Sequence, residues 1–185
     1  NWDNIIEQDD IVVIPGDLSW VLKPEDVIPD LAFLHNLKGV KILLKGNHDY
    51  WWTTYTKMVT LLDNNNFDDI KILHNNAYKF GDFVICGTRG WLYDKTTEFD
   101  KKVILRECGR LEKSIADGQK LGGNIKVFLH YPFAYGEFVC EEIYDVLEKY
   151  GITEVYYGHI HGQGRANLVS EYKGIKQVNI SCDLI

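Results

Sequence analysis

No apolar run in this 185-residue chain is long enough to cross a bilayer, and no segment has the layered form of a signal peptide. Repeats, low-complexity tracts and internal linkers are also missing, which favours one domain over residues 1–185, long enough to bury a full core. The four cysteines, Cys86, Cys108, Cys140 and Cys182, are widely spaced and contain no Cys-x-x-Cys pair. That disfavours a disulfide framework or a thiolate zinc site, and it favours free thiols in a reducing, cytoplasmic setting. Positive charge is short too: 20 Lys and Arg against 27 Asp and Glu leave a net charge of −7. Long nucleic acid and anionic membrane are therefore poor partners. A small phosphorylated substrate stays open, because bound cations reverse a local field. Oligomeric state leaves no readable trace.

What is present is a set of short apolar runs, each ending in ligand-type side chains. Ile11-Val12-Val13-Ile14 leads into Pro15-Gly16-Asp17, and Ile42-Leu43-Leu44 leads into Gly46-Asn47-His48-Asp49. Val155-Tyr156-Tyr157 leads into Gly158-His159-Ile160-His161, and Ile125 to Leu129 ends on His130. Runs of this length read as buried strands. Ligand-type residues at one end of several strands suggest a site where the strands finish.

Between these runs the pattern alternates. Pro24-Glu25-Asp26 reads as a helix start, with Leu31, Leu34 and Leu37 on one face and Gly39 as the stop; Pro29 offers a division into two short pieces. A helix is expected over 52–62 and three strands over 70–74, 76–80 and 83–87, the last two joined by a Gly81-Asp82 hairpin. A long amphipathic helix over 98–120 turns Phe99, Val103, Leu111 and Ile115 to the core. Strand 125–129, helix 139–149, strand 154–157 and a hairpin over 166–181, turning at Lys173-Gly174, complete the chain. The class is α/β, with two sheets and outer helices or one mixed sheet.

Taken singly, the polar residues have ordinary readings. Asp17 suits a turn or cap, Asn47 a turn, His130 a satisfied core position, and His159 and His161 two exposed strand positions. His35 and His74 read as structural. Together, three imidazoles, a carboxylate and an amide oxygen form a hard-to-borderline set without thiolate. It suits Mn²⁺, Fe, Zn²⁺ or Ni²⁺ better than a dedicated Ca²⁺ site. Arg89, after a strand end, reads either as a phosphate clamp or as a structural arginine. Trp20, Trp51 and Trp91 read as pocket walls or core, and Tyr131 beside His130 shares that ambiguity.

These motifs resemble the calcineurin-like metallophosphoesterase family: Gly16-Asp17 with Trp20 close behind, Gly46-Asn47-His48-Asp49, His130, and Gly158-His159-Ile160-His161. The segment Gly87-Thr88-Arg89-Gly90-Trp91 is similar to a bacterial phosphohydrolase branch. The resemblance implies a mixed two-sheet sandwich in four layers with flanking helices, and a binuclear centre of two divalent ions. Asp17 would bridge both ions, Asn47, His130 and His159 would complete one, and His161 would serve the other. His48 would stay off the metal and help the leaving oxygen depart. Asp49 would orient His48 through a hydrogen bond. One motif departs from the pattern. The family's opening Asp-x-His, which supplies the second ion, does not occur before Gly16, and with Asn1 in the first position it is expected upstream. Residues 1–10 then belong to the helix after that strand.

The implied activity is phosphoester hydrolysis, of a diester or monoester, by a metal-bound hydroxide held between ions about 3.5–4 Å apart. A protonated His48 would assist by about 10²–10⁴-fold. The competing class is a non-catalytic interaction module on the same fold with a degenerate metal site. A mononuclear metal protein is a third.

Overall fold

The computed structural model describes residues 2–91 and 98–184. It divides into two compact units, residues 1–73 and 74–185.

In the first unit, α1 (Trp2–Ile5) precedes β1 (Ile11–Ile14); Asn1 lies outside the described residues. A 3-10 turn, Pro24–Val27, runs into α2 (Ile28–His35), so Pro29 does mark the division, at a helix start where a missing N–H costs nothing. Leu31 and Leu34 are buried, and the helix ends before Leu37. Gly39 takes φ +84°, and a Cβ there would stand 2.9 Å from the Asp10 carbonyl oxygen. After β2 (Val40–Leu43) comes α3 (Tyr55–Asn64), three residues later than the pattern predicts. Trp51 and Trp52 are packed into the core ahead of it, and the Thr54 hydroxyl caps its first turn by accepting from Lys57 N–H at 3.4 Å. With β3 (Ile70–Ile72) the unit makes a parallel sheet in the order β1-β2-β3. As an edge of that sheet β1 is only half-buried, against the buried strand expected.

The second unit begins with the hairpin β4 (Ala77–Phe80) and β5 (Phe83–Thr88), turning at Gly81 with φ +55°. Helix α4 (Glu98–Leu121) packs on it; a Cβ at Gly118 would overlap the Cys86 sulfur, so only glycine lets helix and strand approach this closely. Val103, Leu111 and Ile115 are buried as expected, but Phe99 is 67% exposed, because burial of this helix starts one turn later, at Val103 and Ile104. Next are β6 (Asn124–Leu129) and a two-residue hairpin absent from the sequence reading, β7 (Ala134–Tyr135) with β8 (Phe138–Val139). That hairpin delays α5 to Glu141–Lys149. Then come β9 (Glu154–Tyr157), β10 (Glu171–Tyr172) and β11 (Ile175–Asn179), the last two turning at Lys173-Gly174. The mixed six-stranded sheet has the order β10-β11-β9-β6-β5-β4, with β11, β9, β6 and β5 parallel.

The chain is thus mixed α/β with several sheets and flanking helices. Among the described residues, no helix is long and apolar enough to cross a membrane.

Candidate metal and phosphoester site

In the first unit the candidate residues sit past the carboxyl ends of adjacent parallel strands. Asp17 follows β1 and Asn47-His48-Asp49 follows β2, the placement expected of a site in an α/β sheet. Asp17 takes φ +59°, a left-handed conformation uncommon for a residue with a Cβ. Its Oδ1 accepts the His48 N–H at 2.8 Å. Gly46 is required here, since a Cβ would overlap the Asp17 carboxylate and backbone nitrogen.

The two loops are tied together by Asp49, whose side chain is fully buried. Its Oδ2 accepts N–H groups from Asp17 at 2.8 Å and Gly46 at 2.7 Å. Its Oδ1 accepts from Ser19 N–H at 3.2 Å and Trp51 Nε1–H at 3.1 Å. Burial pushes the Asp49 carboxyl above its ordinary pKa; the N–H groups of Gly46, Ser19 and Asp17 offset only part of this. This corrects the expectation that Asp49 orients His48: both carboxylate oxygens serve backbone and indole donors. The His48 ring instead stacks on Trp20, with centroids 3.9 Å apart and planes 4° apart, and its Nδ1 lies 3.2 Å from the Tyr50 hydroxyl. Trp51 is core, while Trp20 is exposed.

In the second unit, Arg89, His130 and His159 follow β5, β6 and β9, three adjacent parallel strands. His130 is fully buried, and its ring centroid lies 5.0 Å from that of His159. Their ligand nitrogens come within 4.8 Å of each other, as two imidazoles sharing a cation require. His159 takes φ +67°, and Tyr131 packs 4.4 Å from its ring centroid. The Arg89 carbonyl accepts N–H from His130 and Tyr131, each at 3.0 Å, while its guanidinium lies 4.8 Å from the Trp91 ring centroid. Arg89 Nε is buried with no hydrogen-bond partner among the described residues. Such a donor suits an anion.

His161 is more exposed, and its Nδ1 lies 3.1 Å from Asp183 Oδ1. Asp183 also accepts Gly162 N–H at 3.1 Å and pairs with Arg165. The Gly162 N–H leads in holding Asp183 below the usual carboxylate range, with His161 adding to it. A carboxylate on one imidazole nitrogen frees the other for a metal. Sequence reading missed Asp183 because it stands alone near the end of the chain, outside any motif.

The structural readings of His35 and His74 differ in what supports them. His35 Nδ1 lies 2.5 Å from Asp69 Oδ1. With Asp68 these form a second ligand-type cluster, but the buried Lys41 ammonium already occupies Asp69. His74 N–H donates to Asn76 Oδ1 at 2.7 Å.

Comparison with known proteins gives the fold and the family. A solved crystal structure shares the fold with a TM-score of 0.56 at 14% identity, over 93% of this chain and 79% of its own. No curated protein matches the chain. The family model for calcineurin-like phosphoesterases matches residues 2–163. Its members are in general phosphoester hydrolases that bind divalent metals. The chain belongs to the calcineurin-like phosphoesterase family.

Proposed function

We propose that residues 1–185 act as one domain that hydrolyses a small phosphoester with the help of two divalent ions. Asp17 would bridge the ions, Asn47, His130 and His159 would complete one, and His161, steadied by Asp183, would serve the other. The observation that carries the reading is the pair His130 and His159, whose nitrogens converge at the ends of adjacent strands in a family of metal-dependent hydrolases. The donors also fit such ions: they include no thiolate, and the missing Cβ of Gly46 leaves room for the Asp17 carboxylate. Manganese is the first ion to try.

When bound, such ions polarise phosphoryl oxygens and lower the pKa of water. The chain's own groups supply the rest. Arg89, with its buried unpartnered Nε, would clamp a phosphoryl oxygen. His48 would donate a proton to the leaving oxygen. The net charge of −7 favours a small substrate over long nucleic acid, and the free cysteines favour a reducing, cytoplasmic setting.

The test is metal content by elemental analysis after Mn²⁺ loading and removal of free metal, with hydrolysis of bis(p-nitrophenyl) phosphate measured on the same sample. Bound metal and metal-dependent turnover are expected, and about two ions per chain would support the binuclear centre. His48→Ala should keep the metal and lose about 10²–10⁴-fold in turnover of diphenyl phosphate, whose leaving oxygen needs the proton. One ion or none would show that Asp17, His161 and Asp183 do not hold the second ion by themselves, the position that the family fills with its Asp-x-His. Bound metal without hydrolysis would return the interaction-module reading.

A further inference from the structure

His48 is held from two sides by residues that no core packing places. Trp20 stacks on its ring almost parallel, and the Tyr50 hydroxyl reaches its Nδ1. Trp20 is 67% exposed and Tyr50 54% exposed, so each spends its aromatic surface on this ring rather than on the interior. The only carboxylate on the same loop, Asp49, is turned away and saturated by four other donors. An imidazole on a loop with no such contacts samples several rotamers and both tautomers.

We infer that Trp20 and Tyr50 are positioning residues for His48. The indole fixes the plane of the imidazole, and the phenol fixes which nitrogen is left to act. In the imidazolium, Nδ1–H donates to the Tyr50 oxygen, and Nε2–H is the proton available to the leaving group. As the scissile P–O bond breaks, its electron pair goes to the leaving oxygen, which takes the Nε2 proton. The ring is left neutral with Nδ1–H still on the phenol. In the neutral ring the hydroxyl either accepts from Nδ1–H or donates to Nδ1, and in both cases it holds Nδ1 and leaves Nε2 to act. The inference rests on the phosphoesterase reading of the same site.

Two measurements test it. The first is ¹⁵N NMR of the histidine rings at a pH where they are neutral. The His48 Nδ1 resonance should shift between the wild type and Tyr50→Phe, whichever partner donates; an unchanged Nδ1 resonance would overturn the role of the phenol. The second compares two esters in the Mn²⁺-loaded protein. Diphenyl phosphate has a poor leaving group that needs the proton, and bis(p-nitrophenyl) phosphate has a good one that does not. Trp20→Ala and Tyr50→Phe should each lower kcat on diphenyl phosphate by about 10–100-fold, with KM and the nitrophenyl ester changed by less than about twofold. Trp20→Phe, which can still stack, should restore turnover. Equal losses on both esters, or none, would overturn the inference. A wild type that hydrolyses neither ester would refute the phosphoesterase reading instead, and the Nδ1 comparison would still decide whether Tyr50 holds the His48 ring.

Discussion

Asp49 is the residue on which the first unit's half of the site depends. Four donors from two stretches of chain meet on one buried carboxylate: Asp17 and Ser19 after β1, and Gly46 and the Trp51 indole after β2. The resemblance placed Asp49 beside His48 in role as well as in sequence. Tertiary structure gave it another task, because four N–H donors meet its two oxygens, the Trp51 indole shared with the Ser19 carbonyl at 3.2 Å. Asp49→Asn keeps one acceptor and turns an amide NH₂ towards N–H groups it cannot satisfy. We expect it to cost about 3 kcal/mol and to weaken metal binding by loosening both loops. Urea unfolding of the metal-free protein checks the first effect, and Mn²⁺ titration of the folded fraction the second. A variant as stable as the wild type would show that the four hydrogen bonds do not hold the loops.

At the scale of elements, the parallel strands bring distant motifs together. Asp17 and Asn47 are 30 positions apart in sequence, yet they follow neighbouring strands in register, Ile14 opposite Leu43. His130 and His159 are brought together in the same way by β6 and β9, with Leu129 opposite Tyr157. The apolar runs made these strands legible, and the ligand residues at their ends made the site legible. At the opposite end of the first sheet, Asp69 joins three elements. Its carboxylate binds the Lys41 ammonium from β2 and the His35 ring from α2, and Lys41 Nζ also donates to the carbonyls of Leu37 at 2.5 Å and Gly39 at 2.9 Å. Burial acts to raise the Asp69 pKa, but Lys41 and then His35 outweigh it, and the value stands below the ordinary 3.8. A depressed carboxylate stabilises the fold above its unfolded pKa and loses that contribution as pH falls through the folded value. Asp69→Asn strands a buried ammonium and should cost about 3 kcal/mol at neutral pH. The gap from wild type should narrow as pH falls below 3.8. Denaturant midpoints at the two pH values check this; a gap independent of pH would remove the ion pair from the account.

Over the whole chain, two cores lie in two units, one around Leu31, Trp51 and Met58, the other around Leu111, Val127 and Leu147. The cysteines report on the second. Burial raises the thiol pKa of Cys86 to about 11 and that of Cys108 to about 12, Cys140 is buried, and Cys182 is exposed. A raised pKa leaves less thiolate at neutral pH, and thiolate is the reactive form. Native protein should therefore give one fast-reacting thiol, Cys182, and unfolded protein all four; Cys182→Ser should abolish the fast phase. Two or more fast thiols would show that the second core opens readily. Sequence by itself determined the α/β class, the main strands and the ligand motifs, because hydrophobic periodicity and turn residues are local signals. It also carried the family. Only tertiary structure decided that Phe99 faces water, that Asp49 holds backbone instead of His48, that Asp183 supports His161, and that Trp20 and Tyr50 enclose the His48 ring. Each of these is a choice among partners from separate parts of the chain or on one crowded loop, settled by which groups burial brings within hydrogen-bond reach. No spacing rule along the sequence encodes that competition.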